Sequence, residues 1–260
     1  MNKFFDPANN RLVYIGHHSE SDFWDEHWKL NKFVKMYVDH FVVKITSQYL
    51  PKKSAVLEGG CGLGAKVYSL QQAGYNAVGL DYAEQTVKLL NETHPDLAIK
   101  LGDVRKLPFS DSIFDGYWSL GVIEHFFTGY QDIASEMKRV LKKDGYLFIT
   151  VPYMSWIRRL KAKLGLYPTF NPKEHSEKDF YQFALPTEDI LSHFKKIGFE
   201  LVKSKKLDGV KGFKDEVPNF GILPKIYEGK SFSIKVIRRI LNIILSPFSP
   251  HICLFVFKKQ

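Results

Sequence analysis

Ser54-Ala-Val-Leu-Glu-Gly-Gly-Cys-Gly-Leu-Gly64 is a short apolar run that breaks into alternating glycines. Gly60, Gly62 and Gly64 stand where a strand hands over to a helix. Glycine tolerates positive φ and lets a backbone come close to a ligand. A helix that begins straight after such a turn offers unpaired N–H groups to whatever lies above it. Tight strand-to-helix turns also occur without any ligand, so the turn gains meaning from the segments downstream of it. Tyr75-Asn-Ala-Val-Gly-Leu-Asp81 is a second apolar run ending in an acid. An acid about 20 positions past a glycine turn suits the diol of a ribose.

Further runs arrive in order. Leu97 to Asp103 and Val104 form a third β-like segment, followed by Leu107-Pro108-Phe109. Ile113 to Leu120 is a fourth and leads into Gly121-Val-Ile-Glu-His125. Tyr130 to Lys142 carries Ile133, Met137, Val140 and Leu141 on one helical stripe and stops at Asp144-Gly145. Tyr146 to Val151 is a fifth strand. Strands alternating with helices are the pattern of a parallel, doubly wound sheet.

Glu58-Gly-Gly-Cys-Gly-Leu-Gly64, Gly79-Leu-Asp-Tyr-Ala83, Gly102-Asp-Val104, Leu107-Pro-Phe109, Ser119 to His125 and Val140 to Tyr146 together resemble the class I S-adenosylmethionine-dependent methyltransferases, in their small-molecule group. The resemblance is close over about residues 54 to 152 and looser beyond. It implies an α/β, Rossmann-like fold: a seven-stranded, mostly parallel sheet with an antiparallel seventh strand. The implied order makes Phe199–Lys206 strand six and His251–Phe257 strand seven. A nicotinamide dehydrogenase, the rival for the same turn, needs a third glycine of a Gly-x-Gly-x-x-Gly motif; position 67 is Val, and a dehydrogenase has no use for Glu58.

The resemblance implies S-adenosyl-L-methionine as cofactor and assigns its contacts. Glu58 meets the ammonium, and Gly60, Cys61, Gly62 and Gly64 give backbone approach. Asp81 takes the ribose hydroxyls and Tyr82 borders the adenine. Asp103 and Val104 meet the adenine edge, while Ser119 and Leu120 line the floor. The plainer alternatives for Asp81 and Asp103 are ordinary turn and cap residues.

Methyl transfer to oxygen benefits from a general base, and histidine suits that role near neutral pH. His125, just after strand four, is the first candidate; His175 and His27 are weaker ones. Tyr153 is a candidate acceptor contact. Glu124 and His125 alone make a poor metal site, and no metal is expected.

The chain has 260 residues, a net charge of +9 and two cysteines far apart, Cys61 and Cys253. Nothing at Met1 to Asn10 reads as a signal peptide, so a cytoplasmic location is expected. Basic residues gather at Arg158 to Lys163, Lys203 to Lys206 and Lys235 to Arg239. The positions after strand four lack the Pro-Pro signature of amine-methylating nucleic-acid enzymes and no cysteine fits pyrimidine chemistry, which argues against a nucleic-acid acceptor. Residues 234 to 245 are apolar at helical spacing but interrupted by Lys235, Arg238 and Arg239, an amphipathic pattern rather than a span. Packing against the domain or lying at the inner face of a membrane both remain open for it.

Residues 1–53 are expected to form an N-terminal helical lid. One long helix runs from about Phe23 to Tyr49, with Ser21 or Asp22 as its cap and Trp24 and Trp28 on one face. Residues 54–260 form the methyltransferase domain, with 153–186 and 209–250 as acceptor-side insertions. The flanks look like bacterial methyltransferases of surface-polysaccharide biosynthesis. That likeness implies O-methylation of a sugar or a lipid-linked, phosphate-bearing glycan precursor. A small amine or amino sugar as acceptor, and a non-catalytic cofactor-binding protein, are the alternatives. The oligomeric state is not legible.

Overall fold

Short Val-, Leu- and Ile-rich segments buried on both faces give the parallel strands at the centre of the computed structural model, which describes residues 1–16, 21–29, 36–217 and 221–260. In chain order the central strands are β3 (Ala55–Gly59), β4 (Asn76–Asp81), β5 (Ile99–Leu101), β6 (Phe114–Leu120), β7 (Leu141–Pro152), β9 (Phe199–Leu207) and β10 (Ile252–Lys259). They lie in the order β5-β4-β3-β6-β7-β10-β9. The pairs from β5 to β7 are parallel, and β10 is antiparallel to both β7 and β9. Helices α3 (Ala65–Gln72), α4 (Glu84–Thr93), α5 (Gln131–Val140) and α7 (Thr187–Lys196) connect them. This is the seven-stranded, mostly parallel sheet with one antiparallel strand that the family resemblance implies.

Helices cover the two faces of the sheet. On one, Val67, Leu70, Val87 and Leu90 pack over Val56, Trp118 and Phe148. Trp118 and Phe148 stack at 4.5 Å, and the Trp118 indole donates to the Thr46 hydroxyl at 3.0 Å. On the other, Ile133, Met137, Ile190 and Phe194 pack over Leu57, Leu147 and Phe255. Helix α5 ends at Val140, short of the expected stop at Asp144-Gly145; Asp144 (φ 63°) falls instead within β7, which starts at Leu141, ahead of the expected Tyr146.

The N-terminal region corrects the sequence reading. Residues 1–53 are helical only in part, because the chain opens with a hairpin, β1 (Asn2–Asp6) and β2 (Arg11–Ile15). Asp6 closes its turn by accepting from the amides of Ala8 and Asn9 and from Arg11. Strand β2 then pairs with β8 (Phe180–Ala184), inside the expected 153–186 insertion, to make a separate three-stranded antiparallel sheet. The single long helix is two: α1 (Ser21–Lys29) and α2 (His40–Thr46), with non-helical residues 36–39 before α2. Asp39 ends the extended segment by capping α2, its carboxylate accepting from the Phe41 amide at 2.9 Å. Residues 30–35 lie outside the described ones.

After β7 come α6 (Trp156–Lys163) and, beyond β9, α8 (Gly209–Glu216), α9 (Leu223–Glu228) and α10 (Phe232–Leu245). Glu216 of α8 ties these additions together. Its carboxylate accepts from the buried Arg158 guanidinium at 3.0 Å, from Lys3 at 2.8 Å, from Lys161 at 3.0 Å and from the Tyr167 hydroxyl at 2.5 Å. Burial alone would raise the Glu216 pKa, but the charges of Arg158 and Lys3 prevail and hold it down at about 2. A lowered folded-state pKa stabilises fully above the unfolded value of about 4.3 and is lost as pH falls from there toward about 2. Glu216→Gln leaves Arg158 buried without its counter-charge, so a loss of about 3–5 kcal/mol is expected. Denaturant unfolding at neutral pH checks it, and below about pH 3 the difference from the parent should shrink.

Candidate active site

A cavity of about 1110 Å³ opens above the C-terminal ends of β3, β4 and β6. It lies where the strand order reverses between β3 and β6, the place where open α/β sheets bind ligands. The glycine turn forms one wall. Gly60 and Gly62 have φ of 76° and 49°, and a Cβ on Gly62 would stand 2.9 Å from the Trp28 ring. The Gly60 and Cys61 amides donate to the Leu80 carbonyl at 2.8 and 3.1 Å, pinning the turn to the end of β4.

Asp81 reaches the cavity while its carboxylate accepts from the amides of Gly62 (2.7 Å) and Ala83 (3.0 Å). The turn-and-cap role and a ligand role thus coincide in one residue, since a carboxylate has capacity for about four acceptances. Burial raises its pKa, against the pull of those amides. Glu58 is 2% exposed on the same wall, and its Oε2 has no hydrogen-bond partner among the described residues. Burial pushes its pKa up to about 8, with the charge of Lys66 and the Val67 amide pulling the other way. A buried acceptor lacking a partner costs free energy. An ammonium group placed there would complete it and restore its charge.

Tyr82, Asp103, Val104 and Leu120 line the cavity, and the Cys61 thiol, pushed up by burial, does too. Asp103 pairs with Arg105 at 2.6 Å; burial works against ionisation, yet the hydrogen bonds and charge of Arg105 keep its pKa below the usual value. Two expected cofactor residues fall elsewhere. Gly64 (φ 71°) caps α3, and its Cβ position faces Ile99 and Leu97 in the core. Ser119 is buried beneath the floor and off the lining, because neighbours along a strand point to opposite faces and Leu120 takes the cavity side.

The wall facing the glycine turn is built by α1, by the segment after β6 and by β8. On α1, Trp24 and Trp28 stack at 6.2 Å and face the cavity. Asp25, buried between them in sequence, accepts from the Thr86 amide at 2.8 Å and hydroxyl at 2.9 Å, docking α1 on the start of α4. His125 lies edge-on to Trp24 and to Tyr181. Its Nδ1 donates to the Tyr181 carbonyl at 2.7 Å, which puts the ring's lone pair on Nε2. Burial drives its pKa down to about 4, the carbonyl of Tyr181 opposing. The imidazole is neutral at pH 7.

Beside it, Glu124 is 2% exposed, lines the cavity and has an Oε2 with no partner among the described residues. Burial raises it to about 8. Its chemistry is only half legible in the sequence, where Glu124 reads as a poor metal ligand and not as an acid or base. His175 packs between the rings of Phe4 and Phe170, off the cavity lining, and Tyr153 is also off it. The side chain of His27 lies outside the described residues. Among the described residues no group of three or more His, Cys, Asp and Glu is placed to hold a metal.

Residues 57–149 match the family model of the methyltransferase domain. Among related sequences, 24-methylenesterol C-methyltransferase 2 of Oryza sativa subsp. japonica is 28% identical over 166 residues, 58% of this chain and 43% of that protein. The malonyl-acyl-carrier-protein O-methyltransferase of Herminiimonas arsenicoxydans is 30% identical over 122 residues, 46% of each chain. The chain thus spans less than half the length of these relatives. A TehB-like S-adenosylmethionine-dependent methyltransferase from Corynebacterium glutamicum shares the fold at a TM-score of 0.55 and 16% identity, covering 92% of this chain and 98% of its own. The cyclase SpnF does so at 0.59 and 13%, covering 95% and 98%. The chain carries a class I S-adenosylmethionine-dependent methyltransferase domain. S-adenosylmethionine is the cofactor that this family and the orphaned Glu58 carboxylate both fit.

Calorimetric titration with S-adenosylmethionine checks the wall residues. Glu58→Gln removes the charge facing the ammonium, and affinity should fall at least about tenfold, the scale of a charge-assisted hydrogen bond. In the parent protein, affinity should climb as pH rises toward about 8, because only the ionised carboxylate attracts the cation, and the climb should vanish in Glu58→Gln. Asp81→Asn retains an acceptor for the Gly62 amide and should cost at least about 1 kcal/mol of binding; parental affinity would remove Asp81 from the ribose.

Proposed function

We propose that this protein transfers a methyl group from S-adenosylmethionine to a hydroxyl of a small-molecule acceptor, a sugar or a lipid-linked glycan precursor. Bound cofactor supplies an electrophilic methyl on a sulfonium with a neutral leaving group. The chain's residues have to hold the acceptor in line with it, keep water out and take up the hydroxyl proton. The observation that carries this reading is the adjacent pair Glu124 and His125 at the cavity wall, a buried carboxyl with one oxygen lacking a partner among the described residues beside an imidazole oriented by the Tyr181 carbonyl.

A base works best with a pKa near the operating pH. By that criterion Glu124 is the proton acceptor, with His125, oriented by the Tyr181 carbonyl, beside it on the wall. The aromatic wall of Trp24, Trp28 and Tyr181 suits the apolar face of a pyranose ring.

A second reading, methyl transfer to a small amine, draws on the same Glu124, whose carboxylate would take the proton of a bound ammonium so that the neutral nitrogen attacks the methyl. Labelled S-adenosylmethionine incubated with nucleotide-activated sugars, polyprenyl-phosphate-linked saccharides and amino sugars separates the two. Label on sugar oxygen is expected, and label on nitrogen alone would overturn the proposal. With cofactor saturating, turnover should rise with pH and level off above about 8 if Glu124 accepts the proton. A profile already flat from about pH 5 would assign the proton to His125 instead. Glu124→Gln should lower turnover about 10²–10⁴-fold with cofactor affinity nearly unchanged.

A further inference from the structure

Helix α10 is apolar around most of its circumference. At 100° per residue, Ile234, Leu241 and Leu245 share one arc, half-buried on the side of α8. The Asn242 side chain fixes that docking by accepting from the Val210 amide at 2.9 Å. The opposite arc holds Phe232, Val236, Ile237, Ile240, Ile243 and Ile244, each between 42 and 82% exposed. Lys235 and Arg239, both exposed, run along one edge of this stripe.

A second stripe lies beside it. Trp156 and Leu160 on α6, and Leu164 just past its end, recur every four residues and are exposed. The Trp156 ring meets that of Phe248, which follows α10, at 6.3 Å, so the two stripes meet there. Lys163 is exposed at the end of α6. Neither helix contains an acidic residue. Single exposed apolar side chains are ordinary, whereas a contiguous set of this size marks a contact surface.

We infer that α10 and α6 form a docking surface for an anionic lipid bilayer, with the apolar arcs in the interface and Lys235, Arg239 and Lys163 reaching the headgroups. Charge selects this occupant. A two-fold contact between copies through this face would oppose cation to cation, with no acid on either helix to answer them. A negatively charged surface answers all of them, and long basic side chains beside an apolar stripe are the composition of an interfacial helix. No helix among the described residues is long and apolar enough to cross a membrane, so the contact is one of lying on the surface.

The segment 209–250 that carries α8 to α10 leaves and re-enters the domain at Asp208 and His251, both on the cavity wall. A bilayer under α10 would therefore lie near the end of the cavity assigned to the acceptor; that link, unlike the docking itself, rests on the methyl-transfer reading.

Co-sedimentation of the full chain with phosphatidylcholine vesicles, with and without phosphatidylglycerol, tests the inference. Binding is expected only with phosphatidylglycerol, and it should weaken as salt is raised. Lys235→Glu with Arg239→Glu, and separately Ile240→Ser with Ile243→Ser, should each lower partitioning at least about tenfold. Calorimetry with S-adenosylmethionine should give parental affinity in both pairs, which shows folded protein and separates failed docking from a failed cofactor site. A parent that stays in the supernatant with anionic vesicles overturns the inference. So does light scattering that finds a dimer in the parent and a monomer in Ile240→Ser with Ile243→Ser, since the face is then a subunit interface.

Discussion

Three backbone amides in succession, those of Gly60, Cys61 and Gly62, are bound by the end of the neighbouring strand. Two donate to the Leu80 carbonyl and the third to the Asp81 carboxylate. That arrangement needs left-handed backbone at Gly60 and Gly62 and no side chain on Gly62 facing Trp28. Everything around the cavity takes its position from this turn. It fixes where α3 starts, how far Glu58 sits from solvent and how closely α1 can approach. The pairing of β3 with β4 and β6 is what holds the turn's two sides at constant spacing.

Three buried glutamates show how partners, more than burial, decide charge. Glu216 is surrounded by Arg158, Lys3 and Lys161 and stays ionised far into acid. Glu58 and Glu124 are equally buried, yet each keeps one oxygen with no partner among the described residues, and both rise to about 8. The first is a structural clasp. The other two lie at the cavity, where local satisfaction has been given up, as perturbed groups in a cleft tend to do.

The core is legible in the sequence because its physics is local. A glycine turn, apolar runs and acids at strand ends follow from sequence neighbours, and so Asp81 stands out by its spacing, whereas Glu58 and Asp103 are named only through the family resemblance. Strand alternation decides between Ser119 and Leu120, and that parity is not fixed by residue type. The N-terminal hairpin escapes such a reading because its turn, Pro7 to Asn10, is longer than a two-residue Asn-Gly hairpin. Its partner β8 lies some 170 residues away. Asp39 breaks the expected long helix by the same capping chemistry that Ser21 or Asp22 offers at its start. The alternation in Arg11-Leu-Val-Tyr-Ile15 is the available signal for β2. Glu124 requires knowing which side chains lack partners, a property of the assembled fold.

The hydrogen bond from His125 to the Tyr181 carbonyl has a consequence for how the molecule comes together. Strand β8 is held in place by β2, so the orientation of a ring in the middle of the chain waits on residues near its beginning. The cavity also draws on Trp24, Asp81, Arg105 and His251, residues of long sequence separation, the kind of contact that slows folding. A partly folded chain, even one with its parallel strands formed, has no finished pocket. Ligand that needs the finished pocket therefore adds its binding energy to the native state.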